Sequence, residues 1–322
     1  MNTPAQYRRV LVEDIDLTDT RYSLNPFPHS RPDTQLSESI DTFGILHPPL
    51  LLELDTNNYI VLSGRKRIQI SAEEVDSLIT AIVISCRYIN KPLVIFSTLL
   101  QHRLIGSPLG IIEQSIFFKK AMACLPTEEI IRFLPMMGYK EKLHIPRDII
   151  SLLELHPSAQ LGLHKGVLSL RAGKKLLLFP SEDQRVLAEL INELQLGGSK
   201  QQKLINLVLE LTKRSRISTD ELLYRWREKE KDKQHNGPQK VTSLLSWLQR
   251  KCSPRSVAEE DNFKKFSRQF ELPAGVRISH TLSFEDERVT LSVEFSSRKI
   301  LEKQWPQIRS LLINPDLGDV TK

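Results

Sequence analysis

The residues with the clearest chemical potential lie in one segment, where an apolar run is followed by a glycine and three consecutive cations. Residues 59–62 have the composition of a buried strand, and Arg65, Lys66 and Arg67 follow Gly64 at the start of a predicted helix. A helix N-terminus already carries partial positive charge from its unpaired N–H groups. Three cations placed there repel one another, and a bound anion, most often phosphate, would offset that repulsion.

Two interpretations of this segment remain open from the motif alone. In the first, Gly64 lets the backbone approach a phosphate group closely, because glycine has no side chain to obstruct it. In the second, the three cations form an ordinary solvated helix end without a ligand.

Length and composition restrict the class of protein. The 322 residues, 40% of them apolar, are sufficient for two or three domains with their own cores. A net charge of +6 favours an acidic partner such as nucleic acid. Because we find neither a membrane-length apolar run nor a signal-peptide pattern, we expect a cytoplasmic protein without a membrane partner. The three cysteines match no metal spacing and suit a reducing compartment.

The first hundred residues alternate between strand and helix patterns. Strands are predicted at residues 9–17, 49–54, 59–62 and 78–85, with a polar turn at residues 55–58. Leu36, Ile40 and Phe43 form a helical stripe that stops at Gly44, and prolines exclude regular helix from residues 25–32. We therefore predict an α/β domain over residues 1–105.

The centre of the chain has helical patterns. Three segments begin with a hydroxyl residue followed three positions later by Gln or Glu, which is the form of a capping box; they start at Ser181, Ser199 and Ser218. Earlier helices are predicted at residues 108–125, 127–137 and 146–155. We predict an all-helical domain over residues 106–228.

The remaining residues divide into a linker and a small third domain. Residues 229–240 are rich in charge and contain Gly237 and Pro238, which is typical of a linker or of a solvated helix end. Residues 241–322 then predict a short helix, a hairpin at 276–284 and 288–295, and a closing helix at 298–312 that Pro306 should kink or shorten. The fold class is α+β and multidomain.

In the order of its motifs, the chain resembles the ParB family of bacterial partition proteins. The family has an Asn-Pro…Pro-Arg loop, a helix ending in Gly-hydrophobic-hydrophobic-Gln-Pro, and a Gly-Glu-Arg-Arg motif after two strands. Similar motifs occur here in the same order: Asn25-Pro26 with Arg31, Gly44-Ile45-Leu46-His47-Pro48, Gly64-Arg65-Lys66-Arg67, Ile112-Glu113, Leu152-Leu153-Glu154-Leu155-His156-Pro157 and Lys165-Gly166-Val167-Leu168-Ser169.

The resemblance implies a ParB/sulfiredoxin-like N-terminal domain that binds CTP with magnesium and closes as a clamp on DNA. It also implies a helix-turn-helix that binds double-stranded DNA, a C-terminal unit that forms a homodimer, and a ParA-like ATPase as a possible partner. The residues that it implies for nucleotide or phosphate binding are Arg31, Gly44, Gly64, Arg65, Lys66, Arg67, Gln101 and Arg103.

Departures from the family pattern bear on catalysis. The family's motif glutamate corresponds to Arg65, and its Glu-Asn-x-Gln-Arg motif would fall on residues 99–103 without the leading acid. Magnesium requires oxygen ligands, usually a carboxylate together with phosphates. We therefore expect magnesium binding to be compromised and CTP hydrolysis to be weak or lost, while phosphate binding through Lys66 and Arg67 is retained.

The DNA-binding prediction rests on the helix pair at residues 127–138 and 146–155. A helix-turn-helix needs an exposed second helix with polar residues facing the major groove. An alternative is a helical hairpin with a polar rim. Around that helix, and in two further basic patches that could follow a phosphate backbone, the candidates are Lys140, Lys142, His144, Arg147, Lys174, Lys175, Arg214 and Arg216.

These observations predict a ParB-like DNA-binding protein, associated with the bacterial nucleoid and acting in chromosome or plasmid partition or in related DNA regulation. Two alternatives stay open. One is a nucleotide-dependent phosphotransferase or nuclease on the same N-terminal fold, and the other is an interaction module that binds neither ligand.

Overall fold

The structure is a computed structural model that describes residues 4–27, 34–72, 77–106, 108–231, 234–268, 272–280 and 289–313. The chain divides into two compact units, Met1–Ile205 and Asn206–Lys322. The domain boundaries that the sequence suggests, at residues 105, 228 and 240, stay predictions.

The first unit contains a five-stranded mixed sheet in the order β1-β5-β3-β4-β2. Its strands are β1 (Ala5–Leu11), β2 (Ile15–Asp16), β3 (Leu50–Asp55), β4 (Asn58–Ser63) and β5 (Leu78–Ile84). The β3–β4 hairpin is antiparallel, as its polar turn predicts, and β5 runs parallel to β3. The single strand expected at residues 9–17 is wrong, because a 3-10 turn at Val12–Asp14 divides it into β1 and β2.

Both faces of the sheet are buried, which explains the uninterrupted apolar runs of its central strands. Leu50, Leu52 and Ile60 pack into one hydrophobic cluster. Leu51 and Val61, whose side chains point the opposite way, pack into another. The strands therefore form a rigid base for the residues that follow β4.

Four helices complete this part of the first unit: α1 (Thr34–Phe43), α2 (Arg65–Ser71), α3 (Pro92–Gly106) and α4 (Ile111–Met122). Helix α1 ends before Gly44, as its apolar stripe predicts. Helix α3 escaped the sequence analysis because it is apolar on most of its surface, with Phe96, Leu99 and Leu100 buried. It packs with α4 into the first cluster.

Further helices follow in the same unit: α5 (Thr127–Ile131), α6 (His144–Ile150), α7 (Pro157–His164), α8 (Leu170–Leu176) and α9 (Ser181–Glu193). Helix α10 (Gly198–Ser215) begins in the first unit and ends in the second. The helix expected at residues 127–137 is shorter, because Pro135 lacks an N–H and starts a 3-10 turn that ends at Gly138. Likewise, regular α-helix after Pro146 stops at Ile150 and continues as a 3-10 turn, Ser151–Glu154.

Two of the three expected capping boxes are wrong. Pro180 precedes α9, and α10 begins at Gly198, so neither Ser181 nor Ser199 occupies the capping position. The glutamine of the first motif, Gln184, is buried; it donates to the carbonyl of Phe179 and accepts from the backbone of His156. Tertiary hydrogen bonding therefore replaces the local cap.

The second unit contains α11 (Thr219–Glu230), α12 (Gly237–Cys252), α13 (Pro254–Arg268), β6 (Val276–His280), β7 (Val289–Val293) and α14 (Arg298–Ile313). Ser218 caps α11, since its hydroxyl accepts from the backbone N–H of Glu221. The strands β6 and β7 pair antiparallel, which confirms the predicted hairpin apart from its turn, which lies outside the described residues. Helix α14 continues through Pro306 instead of ending there.

Helix α12 starts earlier than expected, because Asn236 and Gln239 form a reciprocal capping box at its N-terminus. Part of the predicted linker is therefore helical. None of the helices in the described parts of the chain combines the length and the apolar content needed to cross a bilayer.

One buried histidine of the first unit predicts a pH dependence of stability. His102 on α3 is 6% exposed; its Nε2 lies 3.0 Å from the carbonyl oxygen of Pro48, and its Nδ1 has no hydrogen-bond partner among the described residues. Burial lowers the pKa of His102 below its ordinary value of 6.5. The folded protein therefore holds this side chain neutral, whereas the unfolded chain takes up a proton as the pH falls through that value.

We expect the contribution of His102 to the free energy of unfolding to be complete above about pH 6.5 and to fall as the pH drops below it. Urea denaturation between about pH 7.5 and 5.5 measures this. Replacing His102→Gln, which keeps a donor for Pro48, should flatten the dependence, whereas replacing the exposed His144→Gln should not. An unchanged slope in His102→Gln would contradict the assignment.

Candidate anion-binding site

A cavity of about 420 Å³ lies in the first unit, at the point where β4 leads into α2. Its lining brings together residues that are far apart in the sequence, from Ser23 to His164. The polar and charged ones that matter for binding are Ser63, Gly64, Arg65, Lys66, Arg67, Arg103, Glu113 and His164. Leu24, Leu36, Val61 and Leu62 add an apolar surface.

The three cations of the motif are half-buried at the cavity and differ in their partners. The guanidinium of Arg65 donates to the carbonyl oxygen of Asp19, and that of Arg67 donates to the carbonyl oxygen of His47. Lys66 forms no hydrogen bond or ion pair with any residue that the structure describes. Carbonyl groups stabilise a cation through their dipoles but do not cancel its charge, so the cavity keeps positive charge.

The pKa shifts reflect this excess of charge. Burial lowers the pKa of both Arg65 and Arg67, because the charged forms lose contact with water. For Arg67, repulsion from Arg103 lowers the pKa further. An anion in the cavity would reduce both penalties.

One carboxylate faces these cations from α4. Glu113 Oε1 accepts from Arg103 Nη2 at 2.5 Å, and Glu113 Oε2 accepts from the backbone N–H of Gly110 at 2.9 Å. Both carboxylate oxygens therefore have partners, and the single negative charge is shared between Arg103 and the start of the helix. The Nε of Arg103 is buried without a partner among the described residues.

The backbone at position 64 requires a glycine for a structural reason that is separate from the approach of a ligand. Its φ of +94° is one that side-chain-bearing residues rarely adopt, and a Cβ there would lie 2.9 Å from the Cβ of Pro49. The glycine thus allows the turn into α2 to pack against the residue before β3. Because α2 has only seven residues, the cations and the cavity are better grounds for an anion site than the helix N-terminus.

Lys120 also binds backbone carbonyl groups, in the loop after β2 that lies beside the cavity. Lys120 Nζ donates to the carbonyl oxygens of Thr20 and Arg21, at 2.6 and 2.9 Å. With the bond from Arg65 to Asp19, three consecutive carbonyls are bound by side chains of α2 and α4. These contacts position Ser23 and the residues after it, which line the cavity.

Five of the eight residues expected to bind phosphate line this cavity, namely Gly64, Arg65, Lys66, Arg67 and Arg103. Gly44 instead lines a separate cavity of about 430 Å³ beside Leu78, and Gln101 is exposed on α3 away from the cationic lining. Arg31 lies outside the described residues.

Sequence reasoning missed Ser63, Glu113 and His164 as lining residues. Ser63 could have been noticed as a polar residue in an apolar strand, since it directly precedes the glycine of the motif. His164 is exposed, and its ring lies edge-on to Phe27 with centroids 5.5 Å apart. No local pattern links α7, which carries it, to β4, so only the tertiary fold reveals it.

The residues of the cavity suit a phosphate-bearing ligand better than a metal ion. Within the described ranges, no group of three or more His, Cys, Asp or Glu side chains is placed to hold a metal. Glu113 is the carboxylate in the lining, and a metal bound to it would compete with Arg103 and the Gly110 N–H.

The residues expected to bind DNA fall in both units. Lys140, Lys142, His144 and Arg147 are exposed on α6 and the segment before it. Lys174 on α8 is also exposed, and its Nζ lies 3.6 Å from Oδ2 of Asp148 on α6. The two helices thus present their cations on neighbouring surfaces, together with the exposed Arg171, which the sequence analysis missed.

The other three candidates are less free to contact DNA or lie elsewhere. Lys175 is half-buried. In the second unit, Arg214 donates to the carbonyls of Lys251 and Cys252, which commits its guanidinium to the junction between α10 and α12. Arg216, directly after α10, is exposed and has a φ of 54°. The helix-turn-helix at α5 and α6 stays a prediction.

Comparison with known proteins gives no family assignment. No family model matches the sequence, and no curated protein does so either. Among solved structures, a C-terminally truncated chromosome-partitioning protein ParB from Caulobacter crescentus, complexed to the centromeric parS site, is 20% identical with a TM-score of 0.29. That superposition covers 62% of this chain and 97% of the other.

The same Caulobacter crescentus protein complexed with CTP-gamma-S is 19% identical with a TM-score of 0.23, covering 58% of this chain and 98% of the other. Similarity at this level establishes neither family membership nor a common fold.

The Arg103–Glu113 ion pair predicts that Glu113 competes with a bound anion. Replacing Glu113→Gln keeps an acceptor for Gly110 but removes the charge that occupies Arg103. We expect tripolyphosphate to bind about fivefold more tightly, since a partly exposed ion pair contributes on the order of 1 kcal/mol. Isothermal titration calorimetry measures the affinity.

The control is Glu128→Gln, which removes the same charge from the first turn of α5, away from the cavity lining. It should leave the affinity unchanged. Weaker binding by Glu113→Gln than by the wild type would show that Glu113 supports the ligand instead of competing with it.

Proposed function

We propose that this is a ParB-like DNA-binding protein whose α/β portion holds a nucleotide-type anion. Its role would be in chromosome or plasmid partition or in related DNA regulation. The observation that carries the proposal is that Gly64, Lys66, Arg67 and Arg103, which match motif positions of the resembled family, line one cavity. A solvated helix end, the competing interpretation of the motif, would not enclose a cavity of this kind.

The dimensions and chemistry of the cavity support a nucleotide. Small-molecule sites commonly enclose about 300–1,000 Å³, and this cavity of about 420 Å³ falls in that range. Lys66, Arg67 and Arg103 would hold the phosphates, and the apolar surface from Leu24 and Leu36 offers a face for a base. CTP is the nucleotide that the family resemblance suggests. The cavity's own contribution is to bind and orient phosphates, because its carboxylate is already paired with Arg103.

DNA binding is supported by the exposed cations of α6 and α8. Arg147 on α6, Lys142 in the segment before it and Lys174 on α8 are exposed, while the apolar faces of both helices are buried. Their charges can therefore reach a phosphate backbone without loss of core packing. Contacts of this type fix a protein on duplex DNA and make its affinity depend on salt. A homodimer formed through the C-terminal unit and a ParA-like ATPase partner rest on the resemblance alone.

Calorimetric titration with CTP and ATP, with and without magnesium, tests the nucleotide part of the proposal. We expect CTP to bind without a strict magnesium requirement, because the phosphates face cations and not a built metal site. Lys66→Ala and Arg67→Ala should each weaken binding about tenfold, since a hydrogen bond to a charged group contributes on the order of 1.5 kcal/mol. Magnesium-dependent turnover that these variants abolish would favour the phosphotransferase alternative.

Gel-shift titration with duplex DNA at about 50 and 200 mM salt tests the DNA part. We expect binding that weakens steeply with salt, and we expect Arg147→Ala and Lys174→Ala to weaken it and to reduce the salt dependence. Arg185→Ala is the matched control, because Arg185 on α9 is paired with Glu182 and Glu189. The absence of a shift at low salt would remove DNA binding from the proposal.

A further inference from the structure

Ser63 is an anomaly in the strand that leads to the cavity. It is the last residue of β4 and is only 7% exposed, yet it lines the cavity. Its hydroxyl oxygen has no hydrogen-bond partner among the residues that the structure describes. Buried hydroxyl groups nearly always have a partner, so this one requires a specific explanation.

The side-chain pattern of β4 also marks Ser63 as an exception. Along β4, Tyr59 and Val61 pack into the hydrophobic cluster that also contains Ile68 of α2. Ser63 follows two residues later, where the two-residue period of a strand predicts another apolar side chain. A polar residue that breaks a local pattern without an internal partner is typical of a functional site.

A second unpaired donor belongs to Arg103, which lines the same cavity. The Nε of Arg103 is buried and has no partner among the described residues, although its Nη2 is bound to Glu113. Lys66 adds an ammonium group that forms no contact within the described chain. Glu113 does not accept from either group, since its contacts are with Arg103 Nη2 and the Gly110 N–H.

The uncommitted groups are therefore donors, and they specify the chemistry of what they bind. An arginine N–H and an ammonium can only donate, and the hydroxyl of Ser63 can donate to the same group. The group that satisfies them must be rich in acceptors, carry negative charge and offer several oxygens. A fully ionised phosphoryl group meets these conditions, whereas an amide, an alcohol or an ammonium group does not.

We propose that Ser63 is a ligand-binding residue, and that its hydroxyl and the Nε of Arg103 form a subsite for a phosphoryl oxygen. This inference rests on the proposed anion-binding function of the cavity. It adds a residue to which neither the motif nor the family resemblance assigns a role. The hydroxyl of Ser63 therefore lowers the stability of the free protein, where it is unpaired, and increases the affinity for the ligand, which provides its partner.

Replacing Ser63→Ala separates these two effects. In the free protein the variant removes an unpaired buried hydroxyl, so we expect the melting temperature to be unchanged or higher. In calorimetric titration with tripolyphosphate we expect the affinity to fall about fivefold or more, because a donor to a charged group is lost. Ser71→Ala is the control, since the hydroxyl of Ser71 is already bonded to the carbonyl of Arg67. It should leave the affinity unchanged.

The outcomes separate this inference from the function on which it rests. If wild type and Ser63→Ala both fail to bind tripolyphosphate, the anion-binding function fails and the subsite with it. If both bind equally well, the function stands and the role of Ser63 is refuted. If Ser63→Ala loses both affinity and melting temperature, the hydroxyl supports the fold and is not a ligand contact, which also overturns the inference.

Discussion

Repulsion among half-buried cations is the constraint on which the rest of the site depends. Arg65, Lys66, Arg67 and Arg103 line one cavity, and Glu113 provides the opposing charge. Loosely held side chains would relieve such repulsion by moving apart into water. Here Arg65 and Arg67 follow a strand that is buried on both faces, and Arg103 extends from a helix that packs on the same sheet. The fold therefore keeps the charges together at a cost in stability, and an anionic ligand would recover part of that cost.

Backbone carbonyl groups make this arrangement tolerable without neutralising it. Arg65 binds the carbonyl of Asp19, Arg67 that of His47, and Lys120 those of Thr20 and Arg21. Each contact restores hydrogen bonds that burial removes, but a dipole does not cancel a unit charge. The same contacts fix the loop that lines the cavity, so the cations organise the site as well as charge it. Carboxylates in these positions would have stabilised the free protein more and left less charge for a ligand.

The sequence predicted the parts of the site whose cause is local. The apolar runs of β3 and β4, their polar turn and the glycine before Arg65 lie within twenty residues, so composition and turn chemistry were sufficient. Arg103 entered through family resemblance, because no local rule places α3 beside β4. Glu113 and His164 depend on how α4 and α7 pack, which one sequence does not reveal. The capping prediction at Ser181 failed for the same reason, since Gln184 bonds to residues before its own helix.

The balance of charge also bears on whether this cavity is suited to catalysis or to binding. A metal ion that assists phosphoryl transfer needs an oxygen ligand from the protein, and at Glu113 it would compete with Arg103 and the Gly110 N–H. If Arg103 were released, it would face Arg67 without a counter-charge, and burial together with repulsion from Arg103 already lowers the pKa of Arg67. A ligand that arrives with its own negative charge needs no carboxylate from the protein, because it provides the counter-charge to Lys66 and Arg67 itself. The arrangement of charges thus favours holding a phosphate group over activating one, with Arg65 adding positive charge where the resembled family has an acid.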